Sequence, residues 1–598
     1  MEAGTAAQRT TGSKTIADLS RRAAEKFGDQ VAIHRKRDGA WHDMTFAEAH
    51  AIVSEIGRGL IDLGIAPGER VCILANTRPE WTHADFAISA AGAVVVPIYP
   101  TNSPEECEWV IGNSEAVAVV CEDASQIAKV VAVRDRLPRL RHLVAIDAAG
   151  EIADAIPLDE LRARGRRRDA SELDARTDAV GPDDPFTFIY TSGTTGPPKG
   201  CVLSHRNYRS VLDMVTQRDL LQGEDDLVYL FLPLAHAFAL LIQLAAVDTG
   251  TAIAYWGGDT KQIIPELMEV KPTYLPSVPR IFEKLYTLAQ SQLPAEEIAA
   301  IRTVGGRVRD LEAAGEEVPA DLREQWALLA PKAEFVRNLF GGRLREAVTG
   351  AAPIAPEILE FFWGCGIPVM EGYGMTETAT VATTSTPEAH RFGSVGRALP
   401  GVEITTAEDG EILIKGANIF GGYYKNDDAS FGTVVDDWLH TGDVGRVDED
   451  GYVFITGRKK DIIITAGGKN LTPANLENDM KQSRWVSQAV MHGDRRPFPV
   501  MLITLDEEEI VPWAEQQGIE DRSLRALAQN PQVHALIQAE LDRANAKYAQ
   551  VEQVKRFVIL DHDLSQETGE LTPTLKVKRN VVSEKYGPLF DQLYERHA

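Results

Sequence analysis

The sequence predicts an α/β protein with a large N-terminal domain of several subdomains, in which mixed sheets are packed by helices, and a small, mobile α+β C-terminal domain. Its 598 residues exceed what a single hydrophobic core usually supports. From residue 31 to 400, short apolar runs alternate with helical segments, which is typical of buried strands between helices. Near residue 457 the pattern changes to 457-GRKKDIIIT-465, which is basic and then strand-like. We therefore expect domains at 1–459 and 460–598, joined by a hinge at Arg458–Asp461.

The first third of the chain contains clear strand candidates. Apolar runs at 70–75, 94–99 and 117–122 predict buried strands, and the segment 83–93 predicts a helix between the first two. Residues 160–180 are polar and arginine-rich, which favours a solvated connector between two subdomains. A patch that binds anionic lipid is the alternative interpretation of those arginines.

Residues 227–247 approach the length of a membrane span. Pro233, His236 and Gln243 interrupt the run, and no basic flank follows it. We therefore predict a buried strand over 228–233, a turn, and a buried helix from about Phe238.

Two later regions are helical in pattern. Residues 291–340 are charged, with a break at Gly305–Gly306, and predict a hairpin inserted at the surface. Residues 531–549 predict a helix of the C-terminal domain, and 551–560 are apolar again.

The charge balance limits the classes of partner. With 62 basic and 88 acidic residues the net charge is −26, so a nucleic-acid backbone would be repelled and membrane contact would be peripheral at most. The five cysteines are scattered without CxxC spacing, so neither a disulfide framework nor a zinc site is indicated. Residues 1–20 lack the apolar core of a signal peptide. These features favour the reducing cytoplasm.

The most informative stretch is 190-YTSGTTGPPKG-200, directly after the apolar run 186-FTFIY-190. Glycines let a backbone bring its N–H groups close to a ligand, while hydroxyls and a lysine suit phosphate groups. No GK[ST] follows, so this is not a Walker A loop, and a plain surface turn is the alternative. The candidate phosphate-binding residues are Thr191, Ser192, Gly193, Thr194, Thr195, Gly196 and Lys199.

This loop resembles the phosphate loop of the acyl-adenylate-forming (AMP-binding) enzyme superfamily, which includes acyl-CoA synthetases, luciferases and peptide-synthetase adenylation domains. Four further motifs follow in the order typical of the family, and the match runs from about residue 45 to the C-terminus. They are 350-GAAP-353, 371-EGYGMTE-377, 438-WLHTGDVGRVDEDGYVFITGRKKDIII-464 and 571-LTPTLKVKRN-580. The resemblance implies ATP, Mg²⁺ and coenzyme A, with an acyl-adenylate formed first and a thioester second.

The resemblance assigns roles to the motif 371-EGYGMTE-377. It implies that Tyr373 stacks on adenine, that Thr376 contacts the α-phosphate, and that Glu377 binds Mg²⁺, with Thr191 as a second ligand on the metal side. One carboxylate suffices for a cation that also bridges phosphates. The glycines that permit a sharp exit from the apolar strand are Gly372 and Gly374. A tight strand–helix turn is the structural alternative.

Two more motifs surround the expected acyl group. Gly350, Ala351, Ala352 and Pro353 resemble the turn beside adenine and the acyl carbonyl, although Ala351 replaces a glycine of the family pattern. His236, in 233-PLAHAF-238, is by itself a candidate core histidine. The resemblance implies instead that it lines the acyl pocket near the carboxylate.

The motif 438–464 and the glycines that follow it supply the candidates for ribose binding and for a loop of the moving domain. The resemblance implies that Asp443 and Arg458 contact the ribose, and that Gly467 and Gly468 form a loop that reaches the thiol tunnel after a domain rotation. A strand-end turn and a solvated basic turn are the alternatives.

Near the C-terminus, Lys576 resembles the catalytic lysine, whose compact ammonium stabilises the transition state between carboxylate and α-phosphate. Many members have glycine before this lysine, where this chain has Leu575. Lys578 therefore stays open as the alternative, as does a solvated basic strand without a catalytic role.

Taken with the resemblance, the motifs predict a ligase similar to bacterial long-chain fatty-acid–CoA ligases, acting on a long-chain fatty acid, ATP and CoA, with a homodimer left open. Apolar residues near 237–247 and 273–286 are candidates to line an acyl tunnel. One alternative stops at acyl-AMP and hands the acyl group to a carrier protein. Another is a catalytically dead acyl-nucleotide binding module, which Glu377, Asp443, Arg458 and Lys576 argue against.

Overall fold

The structure is a computed structural model of the chain, and it describes residues 9–595 apart from 151, 192–196, 468 and 573–575. The strands are β1 Val31–Arg37, β2 Ala40–Thr45, β3 Arg70–Leu74, β4 Val94–Ile98, β5 Ala118–Cys121, β6 His142–Ala145, β7 Ile156–Pro157, β8 Pro185–Thr191, β9 Lys199–Ser204, β10 Leu227–Leu230, β11 Ala252–Tyr255, β12 Tyr274–Ser277, β13 Glu346–Thr349, β14 Val369–Tyr373, β15 Thr383–Thr384, β16 Arg397–Ala398, β17 Glu403–Thr406, β18 Glu411–Lys415, β19 Val434–Val435, β20 Trp438–Val447, β21 Val453–Arg458, β22 Ile463–Ile464, β23 Asn470–Leu471, β24 Val486–His492, β25 Val500–Leu505 and β26 Arg556–Ile559.

The α-helices span Leu19–Phe27, Phe46–Asp62, Pro79–Ala90, Pro104–Ser114, Ala124–Val133, Leu158–Arg166, Ala170–Ala179, His205–Thr216, Ala237–Thr249, Ile263–Val270, Pro279–Gln292, Ala295–Ala300, Gly306–Ala313, Ala320–Leu339, Pro356–Gly364, Asp427–Thr433, Pro473–Lys481, Glu507–Gln516, Leu524–Leu527, Pro531–Asn545, Arg579–Lys585 and Gly587–Glu595. Local chemistry explains several starts. Thr45 and Ser103, for example, each open a helix with a capping box completed by a glutamate three residues later.

The first large sheet has the order β7-β6-β5-β3-β4-β8-β9 within the described residues. All neighbours are parallel except β8 and β9, which form an antiparallel pair around the phosphate loop. Strands β4 and β5 are buried along their whole length, because valine-rich strands in a parallel sheet are covered on both faces. The three strand predictions at 70–75, 94–99 and 117–122 are confirmed.

The second large sheet has the order β16-β15-β14-β13-β12-β10-β11-β1-β2. Strands β1 and β10 to β14 run parallel, so their carboxyl ends meet at one edge. In open α/β sheets, ligands bind at such an edge. The loops after β10 and β13 carry His236 and the 350–353 turn, and the 371–377 motif begins in the last residues of β14 and continues into the loop after it.

The apolar segment 227–247 is interior, as predicted. It forms β10 and then the helix Ala237–Thr249, in which Gln243 is fully buried and donates to Asp85 at 2.8 Å. Among the described residues, no helix is long and apolar enough to cross a membrane.

The prediction of a solvated connector at 160–180 is wrong. The segment forms the helices Leu158–Arg166 and Ala170–Ala179, which pack on Phe46–Asp62. Leu161 and Leu173 are buried in that contact, and Gly165 approaches the Glu55 carbonyl so closely that a Cβ would overlap it. Four of the arginines, Arg162, Arg164, Arg166 and Arg168, form ion pairs with acidic residues of these helices or of Phe46–Asp62.

The predicted break at Gly305–Gly306 is also wrong. A π-helical turn, Ile301–Gly305, leads directly into Gly306–Ala313. A Cβ on Gly305 would lie 2.5 Å from the carbonyl oxygen of Gly364, so glycine is needed there for close helix packing rather than for a break. The hairpin that follows is anchored through buried side chains on both helices, including Val308, Ala333 and Val336.

The C-terminal part has its own apolar core. A sheet of β17 to β21 precedes it and ends at the short 3₁₀ turn Lys459–Asp461. From Ile463 onward, two hydrophobic clusters draw only on later residues and surround the sheet β24-β25-β26. The predicted helix at 531–549 is confirmed as Pro531–Asn545, and the apolar segment after it contains β26. The predicted α/β class with a large N-terminal and a smaller C-terminal part is confirmed.

Candidate active site

Glu377 is held through both its side chain and its backbone. It lies in the 3₁₀ turn Thr376–Thr378, which follows β14 after Gly374 and Met375. The Tyr423 hydroxyl donates to Glu377 Oε1 at 2.7 Å, and the Phe420 amide donates to the Glu377 carbonyl at 2.9 Å. Burial and the nearby Glu377 charge raise the pKa of the Cys201 thiol well above its ordinary value, so this thiol stays protonated beside the carboxylate.

The backbone after this turn is strained. Ala379 has φ 47° and Thr380 has φ 100°, which is unusual for a β-branched residue. The Thr380 hydroxyl donates to the Ala237 carbonyl at 2.8 Å, and a Cβ on Gly374 would overlap the Thr380 carbonyl. The motif is therefore packed tightly against the start of the helix that follows His236. Backbone strain such as the positive φ of Ala379 and Thr380 is often found at functional sites.

The phosphate loop is described only at its two ends. Thr191 and Lys199 pair across the β8–β9 hairpin, and the Thr191 hydroxyl lies 3.8 Å from Cys201 Sγ, on the side of Glu377. Lys199 Nζ lies 5.1 Å from the centroid of the Tyr423 ring. The predicted residues Ser192, Gly193, Thr194, Thr195 and Gly196 fall outside the described residues.

Tyr373, Asp443 and Arg458 form one hydrogen-bonded group. The Tyr373 hydroxyl donates to Asp443 Oδ2 at 2.7 Å, and Arg458 Nε donates to Asp443 Oδ1 at 2.9 Å. Strands β20 and β21 place Asp443 opposite Arg458 in register. Burial and the Asp443 charge raise the pKa of Tyr373 well above its ordinary value, which keeps the phenol a donor. Each carboxylate oxygen has a further lone pair for a ribose hydroxyl.

The turn Gly350–Pro353 follows β13 and lies against the GYG motif. A Cβ on Gly350 would lie 2.9 Å from the Gly372 carbonyl, so the two motifs touch through backbone. Ala351 has φ 67°, in the left-handed region that favours glycine. Ala351, which replaces a glycine of the family pattern, therefore stands at a position where glycine would be less strained. Ala352 and Pro353 are exposed beside it.

His236 is half-buried at the start of the helix Ala237–Thr249 and accepts a hydrogen bond from the Phe238 amide through Nδ1, at 3.2 Å. Burial lowers its pKa to about 4, and the charge of Lys576 acts in the same direction. The imidazole is therefore neutral at neutral pH, and with Nδ1 accepting, Nε2 carries the proton.

Lys576 comes from the C-terminal part and faces the same site. Its pKa is lowered, because surrounding atoms desolvate the ammonium and Arg458 repels it, while Asp443 and Glu377 act in the opposite direction. The residue nevertheless keeps an exposed surface, as expected at the mouth of a site. Lys578 instead precedes the helix Arg579–Lys585 as its N-cap. Gly467 lies in the turn before β23, and Gly468 falls outside the described residues.

The sequence analysis missed two supporting residues. Tyr423 follows Gly421 and Gly422, and no spacing relates it to the distant Glu377. Glu411 accepts from the Gly442 amide at 2.7 Å and from Lys459 Nζ at 2.9 Å, and so supports the turn that carries Asp443. Both contacts join segments far apart in sequence, so no local signal announces them.

The donor set near Glu377 fits a magnesium ion that binds mainly to phosphate. Among the described residues, no cluster of three or more histidine, cysteine or acidic side chains has the geometry of a metal site. Mg²⁺ is often held by one or two protein oxygens while water and phosphate supply the other ligands. The Glu377 carboxylate and the Thr191 hydroxyl meet that requirement.

Comparison with known proteins agrees with this geometry. The family model "AMP-binding enzyme" matches residues 20–424, and the model "AMP-binding enzyme C-terminal domain" matches residues 460–598. The chain belongs to the AMP-binding enzyme family. Among curated AMP-binding enzymes, the long-chain-fatty-acid–CoA ligase FadD15 of Mycobacterium tuberculosis is 39% identical over 579 residues, covering 95% of each chain. The long-chain-fatty-acid–CoA ligase ACSBG2 of Xenopus laevis is 33% identical, covering 97% of this chain and 84% of that one.

Solved structures of AMP-binding enzymes share the fold. The adenylation domain of a carboxylate reductase from Mycobacterium chelonae matches with a TM-score of 0.76 at 19% identity, covering 99% of this chain and 93% of that one. The anthranilate CoA ligase AuaEII in complex with anthranoyl-AMP matches with a TM-score of 0.73 at 19% identity, covering 96% and 98%. At these identities the likeness is one of fold.

Proposed function

We propose that this AMP-binding enzyme is a long-chain fatty-acid–CoA ligase, which activates the fatty acid as acyl-AMP and then transfers the acyl group to coenzyme A, releasing pyrophosphate and AMP. The observation that carries the proposal is that Lys576 lies near both Glu377 and Asp443. Adenylation needs a cation at the developing charge, a carboxylate for the metal and a carboxylate for the ribose, and these three residues supply them. The names of the curated relatives, at up to 39% identity over nearly the whole chain, support the long-chain substrate.

In the first half-reaction, the fatty carboxylate attacks the α-phosphate of ATP and pyrophosphate leaves. We assign Lys576 to the developing negative charge between carboxylate and α-phosphate, because a preorganised cation in a partly desolvated site stabilises such a charge. Neutral His236 donates from Nε2 to the carboxylate and orients it. Thr376 contacts the α-phosphate from the turn that also carries Glu377.

The remaining groups hold the nucleotide. Tyr373 packs on adenine beside the Gly350–Pro353 turn, while Asp443 and Arg458 bind the ribose. Thr191 and Glu377 are the proposed ligands of Mg²⁺, and Lys199 with the phosphate loop binds the β- and γ-phosphates. When bound, Mg²⁺ neutralises charge on the phosphates and on the departing pyrophosphate.

The second half-reaction needs room for a thiol where Lys576 stood. We propose that residues 460–598 rotate about the turn at Arg458–Asp461, withdrawing Lys576 and bringing the loop of Gly467 and Gly468 to the acyl-AMP. Hinges of this kind take up φ/ψ changes at a few positions at the ends of elements. The separate apolar core that begins at Ile463 supports a rigid moving unit.

Acyl transfer to a carrier protein is less favoured, because the curated relatives are CoA ligases by name. The test is fatty-acid-dependent pyrophosphate release, followed by mass detection of acyl-CoA with and without CoA. We expect saturated acids from dodecanoate to octadecanoate to exceed acetate in kcat/KM by at least about tenfold, since each buried methylene contributes about 0.8 kcal/mol. Equal turnover of acetate, or acyl-AMP that CoA does not consume, would contradict the proposal.

We also propose that the reaction takes place in the cytoplasm. The five cysteines are all buried and free of disulfides, which suits a reducing compartment.

A further inference from the structure

Tyr423 contacts both charged parts of the candidate phosphate and metal site. Its hydroxyl donates to Glu377 Oε1 at 2.7 Å, and Lys199 Nζ lies over its ring, 5.1 Å from the centroid. Glu377 and Lys199 belong to different motifs, 178 residues apart along the chain. Tyr423 is a single side chain that touches the charged groups of both.

The backbone around Tyr423 is itself fixed. It pairs with Cys201 as an antiparallel bridge, next to hydrogen bonds from the Val202 amide to the Gly422 carbonyl at 2.9 Å and from the Tyr424 amide to the Gly200 carbonyl at 2.8 Å. The Tyr423 amide donates to Ser430 Oγ at 2.8 Å. This segment therefore extends the edge of β9, the strand that begins at Lys199.

We propose that Tyr423 is a positioning residue for adenylation, whose hydroxyl fixes the rotamer of the Glu377 carboxylate and whose ring fixes the Lys199 ammonium, so that both charges face the same phosphates. The inference rests on the proposed function, in which Glu377 serves the metal. A hydrogen bond to an ionised acceptor is stronger than a neutral one and restricts the carboxylate to one orientation. A preorganised carboxylate costs no reorganisation when the metal and phosphates arrive.

The adjacent Tyr424 provides a matched control. Its hydroxyl donates to Glu115 Oε2 at 3.1 Å, and its ring packs on Phe188 with centroids 4.7 Å apart. Tyr424→Phe therefore removes the same atom from the same segment without touching Glu377. Tyr423→Phe removes only the hydroxyl and retains the ring over Lys199, so the fold is preserved.

The experiment measures ATP binding by titration calorimetry with and without Mg²⁺, and then the two half-reactions separately. For Tyr423→Phe we expect the Kd for ATP to rise about five- to twentyfold with Mg²⁺ and less than about twofold without it, as for the loss of one hydrogen bond to a charged group. Adenylation should slow by about tenfold or more, while thioester formation from preformed acyl-AMP stays within about twofold. Tyr424→Phe should match the wild type within about twofold throughout.

A third variant tests the ring. Tyr423→Leu should add a Mg²⁺-independent weakening of ATP binding of about threefold, because it also removes the cation–π contact with Lys199. If Tyr423→Phe leaves both the Mg²⁺-dependent Kd and adenylation unchanged, the inference is overturned whatever Tyr423→Leu does.

Glu377→Gln separates this inference from the proposed function. If Glu377→Gln itself keeps Mg²⁺-dependent ATP binding and adenylation, the metal assignment in the proposed function is wrong. If Glu377→Gln is impaired and Tyr423→Phe is normal, only the role of Tyr423 falls. In the Glu377→Gln background, Tyr423→Phe should change little, because interacting residues are not additive; a full effect there would mean that Tyr423 acts elsewhere.

Discussion

Lys576 and His236 come from two distant parts of the chain and lie close enough for the charge of Lys576 to lower the pKa of His236. Burial keeps the His236 imidazole neutral, with a pKa near 4, and the ammonium of Lys576 adds to that effect. A histidinium beside Lys576 would repel it, whereas a neutral N–H can orient a carboxylate. The neutral charge state of His236 thus follows from burial and from the nearby ammonium, not from residue type alone.

Lys576→Ala should block the first half-reaction and spare the second. Losing a preorganised cation at the developing charge typically costs about 3–4 kcal/mol, so pyrophosphate release should fall by at least about a hundredfold. Thioester formation from preformed acyl-AMP should change by less than about threefold, because that step follows withdrawal of the lysine. Quenched-flow assays of each half-reaction measure both.

Lys578→Ala is the matched control, because Lys578 lies two residues further on, at the N-cap position of the helix Arg579–Lys585, where its side chain makes no capping hydrogen bond. It should leave adenylation near normal. A block by Lys578→Ala with a normal Lys576→Ala enzyme would move the catalytic assignment by two residues.

At the scale of elements, two buried helices are joined by a polar network. Every residue of the helix Pro79–Ala90 except Glu80 is buried, and the helix contacts Ala237–Thr249. Gln243 donates to Asp85 at 2.8 Å and accepts from the Thr82 hydroxyl at 2.6 Å. Such a network gives the pair one register, because a shifted helix would leave buried polar groups without partners.

Asp85 makes this contact sensitive to pH. Burial raises its folded-state pKa from 3.8 to about 8, with the hydrogen bond from Gln243 opposing the shift. Between those two pH values the unfolded chain has lost the proton and the folded chain keeps it, so the free energy of unfolding falls as pH rises through this window. Asp85→Asn should reduce the pH dependence of the free energy of unfolding in this window by an amount that corresponds to up to about one bound proton.

Urea unfolding at about pH 5 and about pH 8 measures the slope. Relative to the wild type, the stability of Asp85→Asn should improve with rising pH. Glu105→Gln, at an exposed carboxylate in the first turn of another helix, should leave the slope unchanged. A constant difference between Asp85→Asn and the wild type at both pH values would show that Asp85 is ionised in the folded chain.

At the scale of the whole molecule, the C-terminal part is oriented so that Lys576 faces the candidate active site. Lys576 stands among His236, Asp443 and Glu377. Ion pairs between the two parts, Arg280 with Asp506 and Lys284 with Glu508, accompany this orientation. Because these pairs are partly exposed, each is worth little, and the orientation can change at modest cost.

Lys460→Pro should trap this orientation. Lys460 lies in the 3₁₀ turn Lys459–Asp461. The φ typical of 3₁₀ turns is close to the value that proline imposes, so we expect proline to fit this orientation and to resist the φ change of a rotation. We expect acyl-AMP formation within about twofold of normal and CoA-dependent product reduced by at least about tenfold.

Lys460→Ala controls for the lost side chain and should carry out both half-reactions. If both half-reactions of Lys460→Pro proceed normally, the pivot lies elsewhere. Loss of both half-reactions together with a lowered Tm would show that proline damages the fold. Lys460→Gly, which keeps the turn mobile, then becomes the test: it should carry out both half-reactions, and a loss of either one would contradict the hinge.

Much of the molecule follows from local pattern. Valine-rich runs predict β4 and β5, and Pro233, His236 and Gln243 correctly predict that 227–247 is interior. The errors have tertiary causes. Residues 160–180 are polar, but Arg162 and Arg166 pair with Glu55 on a neighbouring helix. Gly305 lies within a helical segment, where the backbone of Gly364 packs against it. Neither partner is close in sequence.

The sequence by itself determined the family, the fold class and the side chains available for chemistry, because motifs such as 371-EGYGMTE-377 are short and their residue types carry the chemistry. The tertiary structure decided how those side chains are used. It joined Tyr373 to Asp443 and Tyr423 to Glu377, made His236 neutral, and placed Lys576 near His236, Asp443 and Glu377. Contacts across tens to hundreds of residues and the burial of charge exist only in the folded chain, so no local pattern can specify them.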